Sequence, residues 1–283
     1  MLPAWMVLDD LLSLWLKEDI GRGDQTTQGL GEIAFRDGRA YWVAKEDGVI
    51  AGLPVAGRVF YLLEEQRDFR ALVDEGTVVE KGRRIVEIDC RLSTLLTGER
   101  VALNLAMRLS GIATMTRRFA DEIADLPTQL VDTRKTTPGL RLLEKYAASV
   151  GGAQNHRMGL DDGVMIKDNH IAAAGGIGAA VSKVRGRVPY PITIEVETES
   201  LEQVREAIAS RADIIMLDNM SIEMMTEAVA LIRTTDQGIK IEASGNVSLR
   251  TIRSIAQTGV DYISSSAPIT RSPWLDISMR IQS

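Results

Sequence analysis

The segment ITIEVETESLEQVREAIASRADIIMLDN, residues 192–219, alternates between two hydrophobic patterns. Apolar runs at residues 192–196 and 214–217 are typical of buried strands, and residues 201–210 between them have the spacing of an amphipathic helix. Two strands that are joined through a helix pair in parallel, with a right-handed crossover. The segment therefore predicts a fold of the α/β class.

The same alternation continues on both sides of this segment. Further apolar runs lie at residues 130–131, 154–158, 164–166, 241–243 and 262–264. Helical patterns separate many of them, at residues 140–149, 223–233 and 249–257. Together the runs predict a parallel sheet, and in parallel barrels the strand ends build the active site. Most runs end in polar residues; solvated loops would explain Asn and Ser there, but they explain poorly why charged residues follow strands directly.

The chain before this region mixes short helical and strand patterns, and it predicts a small α+β sandwich. Leu8, Leu12 and Trp15 recur at helical spacing. Short β-rich pieces follow at residues 40–44, 49–50, 55–62 and 85–88, of which 55–62 also fits a helix. The longest helical pattern covers residues 93–126, and a Ser-Gly pair at 110–111 could divide it into two helices.

The composition is that of a soluble globular protein. The chain has 283 residues, of which 45% are hydrophobic and 25% charged, and this excludes disordered, collagen-like and coiled-coil chains. The net charge of −6 argues against binding to nucleic acid or to anionic membranes. We expect a cytoplasmic protein, because no apolar run is long enough to span a bilayer and the N-terminus does not resemble a signal peptide.

The chain contains one cysteine, Cys90, which cannot form an internal disulfide. A reducing compartment is therefore expected. Cys90 has no His or Cys companions at metal-binding spacing, so we expect a buried or inert thiol.

Positive charge gathers at a few strand ends of this acidic chain. Arg134 and Lys135 follow one apolar run, and Arg157 and Lys167 end or lie within the next two, with His156 beside Arg157. Cations that converge without acidic partners repel one another. The arrangement therefore favours a polyanionic ligand that supplies the missing negative charge.

Local ion pairs are the alternative explanation of these basic residues. Arg157 could pair with Asp161 or Asp162, and Lys167 with Asp168. For any one residue alone we favour such a pair, and for the whole set at the strand ends we favour the ligand. A lone histidine is more often hydrogen-bonded in the core than catalytic, and we expect His170 simply to begin a helix.

Carboxylates occupy two neighbouring strands of the predicted sheet. Glu195 and Glu197 lie two residues apart on one strand and so point to the same face. Asp218 closes the next strand. Such carboxylates could share a Mg²⁺ ion, which binds through one or two carboxylates together with substrate phosphates, or they could face a cationic transition state. Alternatively, one or more of them neutralises Lys135 or Lys167 directly.

Two loops at the end of the sheet have the features of phosphate sites. Ser244 and Gly245 follow one strand and precede a helix that is expected to begin near residue 248. The N–H groups of a helix N-terminus bind anions, and in barrels the loops after the last two strands frequently hold phosphate. An ordinary helix cap is the alternative for each loop. The loop after the last strand consists of Ser264, Ser265 and Ser266.

One long run in the chain carries a specific family resemblance. DTRKTTPGLRLLEKYAASVGGAQNHRMGLDDGVMIKDNHI, residues 132–171, strongly resembles the quinolinate phosphoribosyltransferase family, also called carboxylating nicotinate-nucleotide pyrophosphorylases. Shorter motifs extend the resemblance over essentially the whole chain, among them EDIGRGDQTT, GERVALN, EVE, LDN and EASG. The resemblance implies an open seven-stranded parallel α/β barrel with an N-terminal α+β sandwich domain. It implies a sandwich formed by residues 1–108 and 275–283, and a barrel formed by residues 109–274.

The resemblance also implies a reaction of de novo NAD biosynthesis. The pyridine nitrogen of quinolinate attacks C1′ of phosphoribosyl pyrophosphate (PRPP), pyrophosphate leaves, and the 2-carboxylate is lost as CO₂ to give nicotinate mononucleotide. Both substrates are polyanions, which fits the cation cluster. No general base is needed because the pyridine lone pair is the nucleophile, so catalysis depends on positioning and charge stabilisation.

The matched motifs imply roles for individual residues. Arg134, Arg157 and Lys167 would grip the two carboxylates of quinolinate, with Lys135 and His156 between quinolinate and PRPP. The cofactor Mg²⁺ would be held directly, through water or through PRPP, by two carboxylates that also engage the ribose. The implied catalytic residues are Lys135 and these two carboxylates, Glu197 and Asp218.

The remaining implied contacts involve the phosphate loops and a second subunit. The 5′-phosphate would be held by Ser244, Gly245, Ser264, Ser265 and Ser266. Serine stands at position 266 where the family usually has glycine, and its hydroxyl could donate a hydrogen bond or crowd the phosphate. Arg100, in the GER motif, would reach the site from the other subunit of a homodimer or of a higher oligomer.

Two other functions compete with this one. A related phosphoribosyltransferase could use a different acid, but a substrate with one carboxylate would not need four cations together, namely Arg100, Arg134, Arg157 and Lys167. A non-catalytic sugar-phosphate-binding protein would need neither Glu197 nor Asp218.

Overall fold

A computed structural model describes residues 2–282 of the chain. Twelve strands lie within this range, in chain order β1 (Asp37–Ala44), β2 (Gly48–Val49), β3 (Asp68–Ala71), β4 (Val78–Val79), β5 (Arg84–Arg91), β6 (Gln129–Val131), β7 (Val164–Ile166), β8 (Ile194–Thr198), β9 (Ile214–Asp218), β10 (Lys240–Ser244), β11 (Tyr262–Ser264) and β12 (Ile277–Gln282).

The same residues form eleven α-helices and one short 3₁₀ helix, Gly31–Phe35. The α-helices are α1 (Trp5–Ile20), α2 (Gln25–Gly29), α3 (Leu53–Leu63), α4 (Leu92–Asp121), α5 (Arg141–Gly151), α6 (Asp168–Ala174), α7 (Ile177–Arg185), α8 (Leu201–Ala209), α9 (Ile222–Thr235), α10 (Ile252–Ala256) and α11 (Ala267–Thr270). None of the helices described is both long and apolar enough to cross a membrane.

The chain divides into two compact units. The first contains the described residues up to Arg117, the segment Leu142–Gly151 and the described residues from Ser272 onward. The second contains Arg118–Arg141 and Gly152–Arg271. The domain limits that the family resemblance implies stay a prediction.

An antiparallel sheet with the strand order β12-β1-β5-β3 forms the frame of the first unit. Its core side chains include Trp42 on β1 and Phe60 on α3, both fully buried. Trp42 packs edge-on against Phe60 and against Phe69 of β3, with ring centroids 6.4 Å and 6.1 Å away. Residues 55–62, which fit either a strand or a helix in sequence, lie in α3 because their apolar side chains cover one face of this sheet.

Helix α4 is continuous, without a break at the Ser-Gly pair. Ser110 uses its hydroxyl to bind the backbone of Ala51, donating to the carbonyl and accepting from the N–H. Gly111 lets the chain approach closely: a Cβ atom there would lie 2.0 Å from the carbonyl oxygen of Pro273. The pair is therefore explained by packing within the first unit, and the division into two helices that it could have caused does not occur.

Six parallel strands in the order β6-β11-β10-β9-β8-β7 form the sheet of the second unit. Helices alternate with most of them along the chain, so the predicted α/β class is confirmed. The seventh predicted strand is not a strand: residues 154–158 make only an isolated parallel bridge, from Gln154 to Val131 of β6.

Side chains take up the backbone N–H groups that a seventh strand would need. The N–H of His156 donates to Oδ1 of Asp132 at 2.8 Å, and the N–H of Met158 donates to Oδ2 of Asp162 at 2.6 Å. Because these donors are already used, the segment cannot extend a ladder beyond Gln154. The chain here is held in a fixed loop at the edge of the sheet.

Cys90 lies on β5 with 7% of its surface exposed. Burial, with smaller contributions from Glu64 and Asp89, raises the pKa of its thiol to about 12. The thiolate is the reactive form of cysteine, so a thiol with this pKa is unreactive at neutral pH.

We expect iodoacetamide at pH 8 to leave the native protein unlabelled and to add one carbamidomethyl group in denaturant, measured by intact-protein mass spectrometry. Rapid stoichiometric labelling of the native protein would contradict the burial of Cys90. The denatured sample is the control for reagent quality.

Candidate active site

The carboxyl ends of the six parallel strands open on a cavity of about 640 Å³. Each strand end contributes to its wall, because parallel strands all finish at the same edge of the sheet. The wall contains nearly all of the site residues predicted from the sequence, namely Arg134, Lys135, His156, Arg157, Lys167, Glu197, Asp218, Ser244, Gly245, Ser264, Ser265 and Ser266. The remaining one, Arg100, lies exposed on α4 in the first unit.

Four cations line this cavity without an ion-pair partner among residues 2–282. They are Arg134, Lys135 and Arg157, which the sequence predicted, and Arg271, which it did not. Both arginines line the same cavity, and burial, followed by repulsion from Arg134, lowers the pKa of Arg157. Arg157 also donates from Nη1 to the carbonyl of Gly163 at 2.8 Å. Like charges held together in a cavity favour an anionic ligand.

Lys167 is the exception among these cations, because its ammonium group forms a salt bridge with Glu197. One carboxylate thus neutralises one cation, as one alternative from the sequence allowed. Two of the local partners considered there are engaged elsewhere: Asp162 accepts the N–H groups of Met158 and Gly159, and Asp168 accepts that of Asn169. His170 lies in α6, where its Nδ1 accepts the N–H of Lys167 at 3.0 Å.

Carboxylates stand at the ends of two adjacent strands in the cavity wall. Glu197 lies on β8 and Asp218 ends β9, which pairs with β8 in parallel. Asp218 accepts a hydrogen bond from the side chain of Asn219 at 2.7 Å. Two carboxylates on one wall fit Mg²⁺, which prefers oxygen ligands and keeps several waters or substrate phosphates in its shell.

Two further carboxylates, Glu195 and Glu242, meet the ring of one histidine, and Glu242 also lines the cavity. Nε2 of His156 is 3.1 Å from Oε2 of Glu195 and 3.4 Å from Oε2 of Glu242. Both glutamates are buried, with 2% and 3% of their surfaces exposed. We call these three residues the His156 triad. Burial, opposed in part by the hydrogen bond from His156, raises the pKa of Glu195, and the charge of Glu242 raises it further.

The ring of His156 has a defined hydrogen-bonding state. Burial lowers its pKa and the two carboxylates raise it, so the ring would take a second proton readily if Nδ1 were free. A second ring proton would lie on Nδ1, where the N–H of Arg157 already donates at 2.7 Å. The contact at Nδ1 therefore assigns the proton to Nε2 in this structure.

The residue types of the His156 triad could also hold a metal ion, since one ligand atom from each lies within 4.8 Å of the others. A metal at Nε2 would use its lone pair, and Nδ1–H would then donate outward to an acceptor. Here Nδ1 accepts the N–H of Arg157 instead. The geometry is that of a hydrogen-bonded triad.

The loop after β10 is shaped by a glycine in the left-handed region. Gly245 has φ +93°, and a Cβ atom there would lie 2.2 Å from Oδ1 and 3.0 Å from the backbone nitrogen of Asn219. Asn246 and Asn219 also have positive φ angles, of 52° and 55°, and Asn246 donates to the side chain of Asn219 at 3.2 Å. Helix α10 begins only at Ile252, so the expected start near residue 248 is wrong, and a turn fills the gap.

The loop after β11 has no positive φ angle among residues 264–266. The N–H of Ser265 donates to the carbonyl of Val131 on the neighbouring β6, which fixes the loop against the sheet. Ser266 has φ −86° and ψ −15°, an ordinary helical conformation, and it precedes α11. Serine is thus compatible with the backbone at the position where glycine is usual.

The cavity wall includes residues that the sequence alone did not single out. Glu242 could have been noticed within the EASG motif, and Asn219 within LDN, because both lie beside a predicted strand end. Arg271 follows α11 and carried no comparable signal. The others are Thr133, Met165, Met216, Asn246, Val247, Ser248 and Ala267.

Comparisons with known proteins identify the family of the chain. Residues 24–110 match the quinolinate phosphoribosyl transferase N-terminal domain, and residues 112–280 match the quinolinate phosphoribosyl transferase C-terminal domain. The chain belongs to this family. The resemblance seen in the sequence is thereby confirmed.

Named relatives in bacteria are similar over nearly their full length. A probable carboxylating nicotinate-nucleotide pyrophosphorylase of Synechocystis is 61% identical over 280 residues, which are 99% of this chain and 94% of the relative. A protein of Bacillus subtilis with the same description is 46% identical, over 97% of this chain and 93% of the relative. The crystal structure of NadC from Streptococcus pyogenes superposes with a TM-score of 0.94 at 40% identity, covering 100% of this chain and 99% of that one.

The strain at Gly245 leads to a stability prediction. We expect Gly245→Ala to lower the melting temperature clearly more than Gly82→Ala, measured by circular dichroism. Gly82 has φ +92°, nearly the same as Gly245, but a Cβ atom there meets nothing within 4 Å. Gly82→Ala therefore carries only the left-handed penalty of about 1–2 kcal/mol. Equal shifts for the two variants would show that the Asn219 contact is easily relieved.

Proposed function

We propose that the protein transfers the phosphoribosyl group of PRPP to quinolinate, with release of pyrophosphate and CO₂ and formation of nicotinate mononucleotide in de novo NAD biosynthesis. The observation that carries the proposal is the cavity itself. Arg134, Lys135 and Arg157 face it without ion-pair partners among the described residues, on the same wall as Glu197 and Asp218. A dicarboxylate and a sugar pyrophosphate together would supply the missing negative charge, and the names of the relatives describe this chemistry.

Binding of quinolinate rests on the guanidinium groups of the site. Arg134 and Arg157 can each present two N–H donors to a carboxylate in one plane, which fixes the orientation of the pyridine ring. Lys167 donates to Glu197 in this structure, so it would meet a quinolinate carboxylate by exchanging one carboxylate partner for another. That exchange would leave Glu197 free to face the sugar.

The chemical step needs orientation more than acid–base catalysis. The pyridine lone pair is the nucleophile, so the site has no proton to remove before attack. A carboxylate such as Glu197 beside C1′ would stabilise the positive charge that develops there as pyrophosphate departs. The pyridinium nitrogen formed by the attack can accept the electrons that decarboxylation releases. Orientation of the two reactants can lower such a barrier by about 7–11 kcal/mol in favourable systems.

The cofactor of this proposal is Mg²⁺. Glu197 and Asp218 are the residues that would hold it, directly, through water or through PRPP. When bound, the ion would neutralise charge on the pyrophosphate leaving group. The loops that contain Ser244, Gly245 and residues 264–266 would hold the 5′-phosphate through backbone N–H groups and hydroxyls.

We also propose that the active form is a homodimer or a higher oligomer that works in the cytoplasm. Arg100 is exposed on α4 and has no ion-pair partner within residues 2–282. The guanidinium group of Arg100 would add positive charge for binding the substrates if it entered the cavity of a neighbouring subunit. A single, buried cysteine suits a reducing compartment.

The direct test is an assay of the purified protein with quinolinate, PRPP and Mg²⁺. We expect release of ¹⁴CO₂ from carboxyl-labelled quinolinate, formation of nicotinate mononucleotide, and loss of activity with EDTA. Arg134→Ala should raise KM for quinolinate about tenfold or more, because a charge-assisted hydrogen bond contributes about 1.5–3 kcal/mol. KM for PRPP should change far less. Activity with nicotinate but not with quinolinate would favour the related enzyme that uses another acid.

The shared site is tested by mixing two inactive variants. Arg100→Ala and Lys135→Ala subunits, unfolded and refolded together, should recover about a quarter of the wild-type activity if the enzyme is a symmetric dimer. The reason is that half of the dimers are mixed, and each mixed dimer has one intact site of two. Each variant refolded alone is the control. No recovery in mixed dimers that have been isolated by two affinity tags would place Arg100 outside the partner's site.

A further inference from the structure

Two buried glutamates are not used by the mechanism proposed above. Glu195 lies on β8 and Glu242 on β10, two strands away in the sheet. Both are almost completely buried, and Oε1 of each has no hydrogen-bond partner. A buried carboxylate costs several kcal/mol unless it is paired. Two of them together therefore call for an explanation.

His156 is the group to which both glutamates turn. Its Nε2–H lies between the two Oε2 atoms, at 3.1 Å from Glu195 and 3.4 Å from Glu242. The opposite nitrogen, Nδ1, accepts the backbone N–H of Arg157 at 2.7 Å. Both ring nitrogens are thus bonded within the protein, and neither is free to bind a substrate oxygen.

This arrangement connects the buried carboxylates to Arg157. The backbone N–H of His156 donates to Asp132 at 2.8 Å, so the segment is held on one side by Asp132 and on the other by the ring. The residue that the ring holds is Arg157, whose guanidinium reaches the cavity and donates to Gly163. If the ring turned, the N–H of Arg157 would lose its acceptor in a part of the chain that has no strand ladder to hold it.

We propose that Glu195 and Glu242 are positioning residues, which act through the ring of His156 to fix Arg157 in the quinolinate site. The inference rests on the proposed function, and it gives His156 a different task from the substrate contact that the family resemblance implies. The two glutamates fix the ring by accepting Nε2–H, and the ring then fixes the backbone from which the Arg157 side chain extends. Arg157 touches the substrate, and the glutamates do not.

The kinetic test compares two substitutions at Glu242. Glu242→Leu removes the acceptor while keeping similar volume, and we expect KM for quinolinate to rise about tenfold, with KM for PRPP changed less than about threefold. Glu242→Gln keeps an oxygen that accepts from Nε2–H, so it should restore most of the quinolinate affinity. Glu195→Leu and Glu195→Gln form the second such pair.

Thr198→Val is the matched control for these variants. Thr198 lies on β8 with its side chain fully buried, and its hydroxyl donates to the carbonyl of Met216 at 2.8 Å. Loss of this buried hydrogen bond should lower the melting temperature without changing the ratio of the two KM values. If Glu242→Leu behaves like Thr198→Val, or if it raises both KM values equally, the glutamates have only a structural role and the proposal is wrong.

A second measurement does not require a variant at either glutamate. The chain has two histidines, so ¹⁵N-histidine labelling gives two sets of ring signals, Nδ1 and Nε2 of each residue, which His170→Gln assigns. We expect His156 to show the Nε2–H tautomer both before and after addition of quinolinate. An Nδ1–H tautomer, or a ring that changes state when quinolinate binds, would overturn the proposal. Wild-type protein that is inactive with quinolinate would overturn the proposed function instead. The ring signals of His156 would then still show whether Nε2 carries the proton.

Discussion

Repulsion between cations at the carboxyl edge of one parallel sheet is the constraint on which the site depends. Arg134 and Arg157 face the same cavity, and their mutual repulsion contributes to the lowered pKa of Arg157. A parallel sheet brings all its strand ends to one edge, so charges that are far apart in sequence become neighbours there. The fold alone does not cancel these charges, and a ligand with several negative groups completes the balance.

Buried carboxylates support the charged wall of the cavity. Glu195 and Glu242 are almost completely buried, and both contact Nε2 of His156. The other ring nitrogen of His156 accepts the backbone N–H of Arg157, so the ring connects the buried carboxylates to a cation of the wall. Burial of these polar groups lowers the stability of the fold, but it fixes the geometry of the residues that they contact. Active sites commonly combine lower stability with fixed geometry.

The sequence predicted the elements that depend on local pattern, and it failed where distant contacts decide. Strand–helix alternation and polar strand ends sufficed to gather twelve of the residues of the cavity wall. The loop after Gln154 was missed because the side chains of Asp132 and Asp162 accept the N–H groups of His156 and Met158, which periodicity does not report. The Ser-Gly pair of α4 was misinterpreted because Gly111 meets Pro273, far along the chain. Glu242 was missed because it contacts His156, a residue far away in the sequence.

The loops after β10 and β11 differ in the backbone conformations that they require, and this affects which substitutions each can accept. Gly245 is enclosed by Asn219 and has a φ angle of +93°, which residues with a side chain rarely adopt, whereas Ser266 occupies a region that every L-amino acid visits. The backbone at position 266 therefore accepts substitution of Ser266 by other small residues. At 245 a mutation survives only with a compensating change in its neighbour.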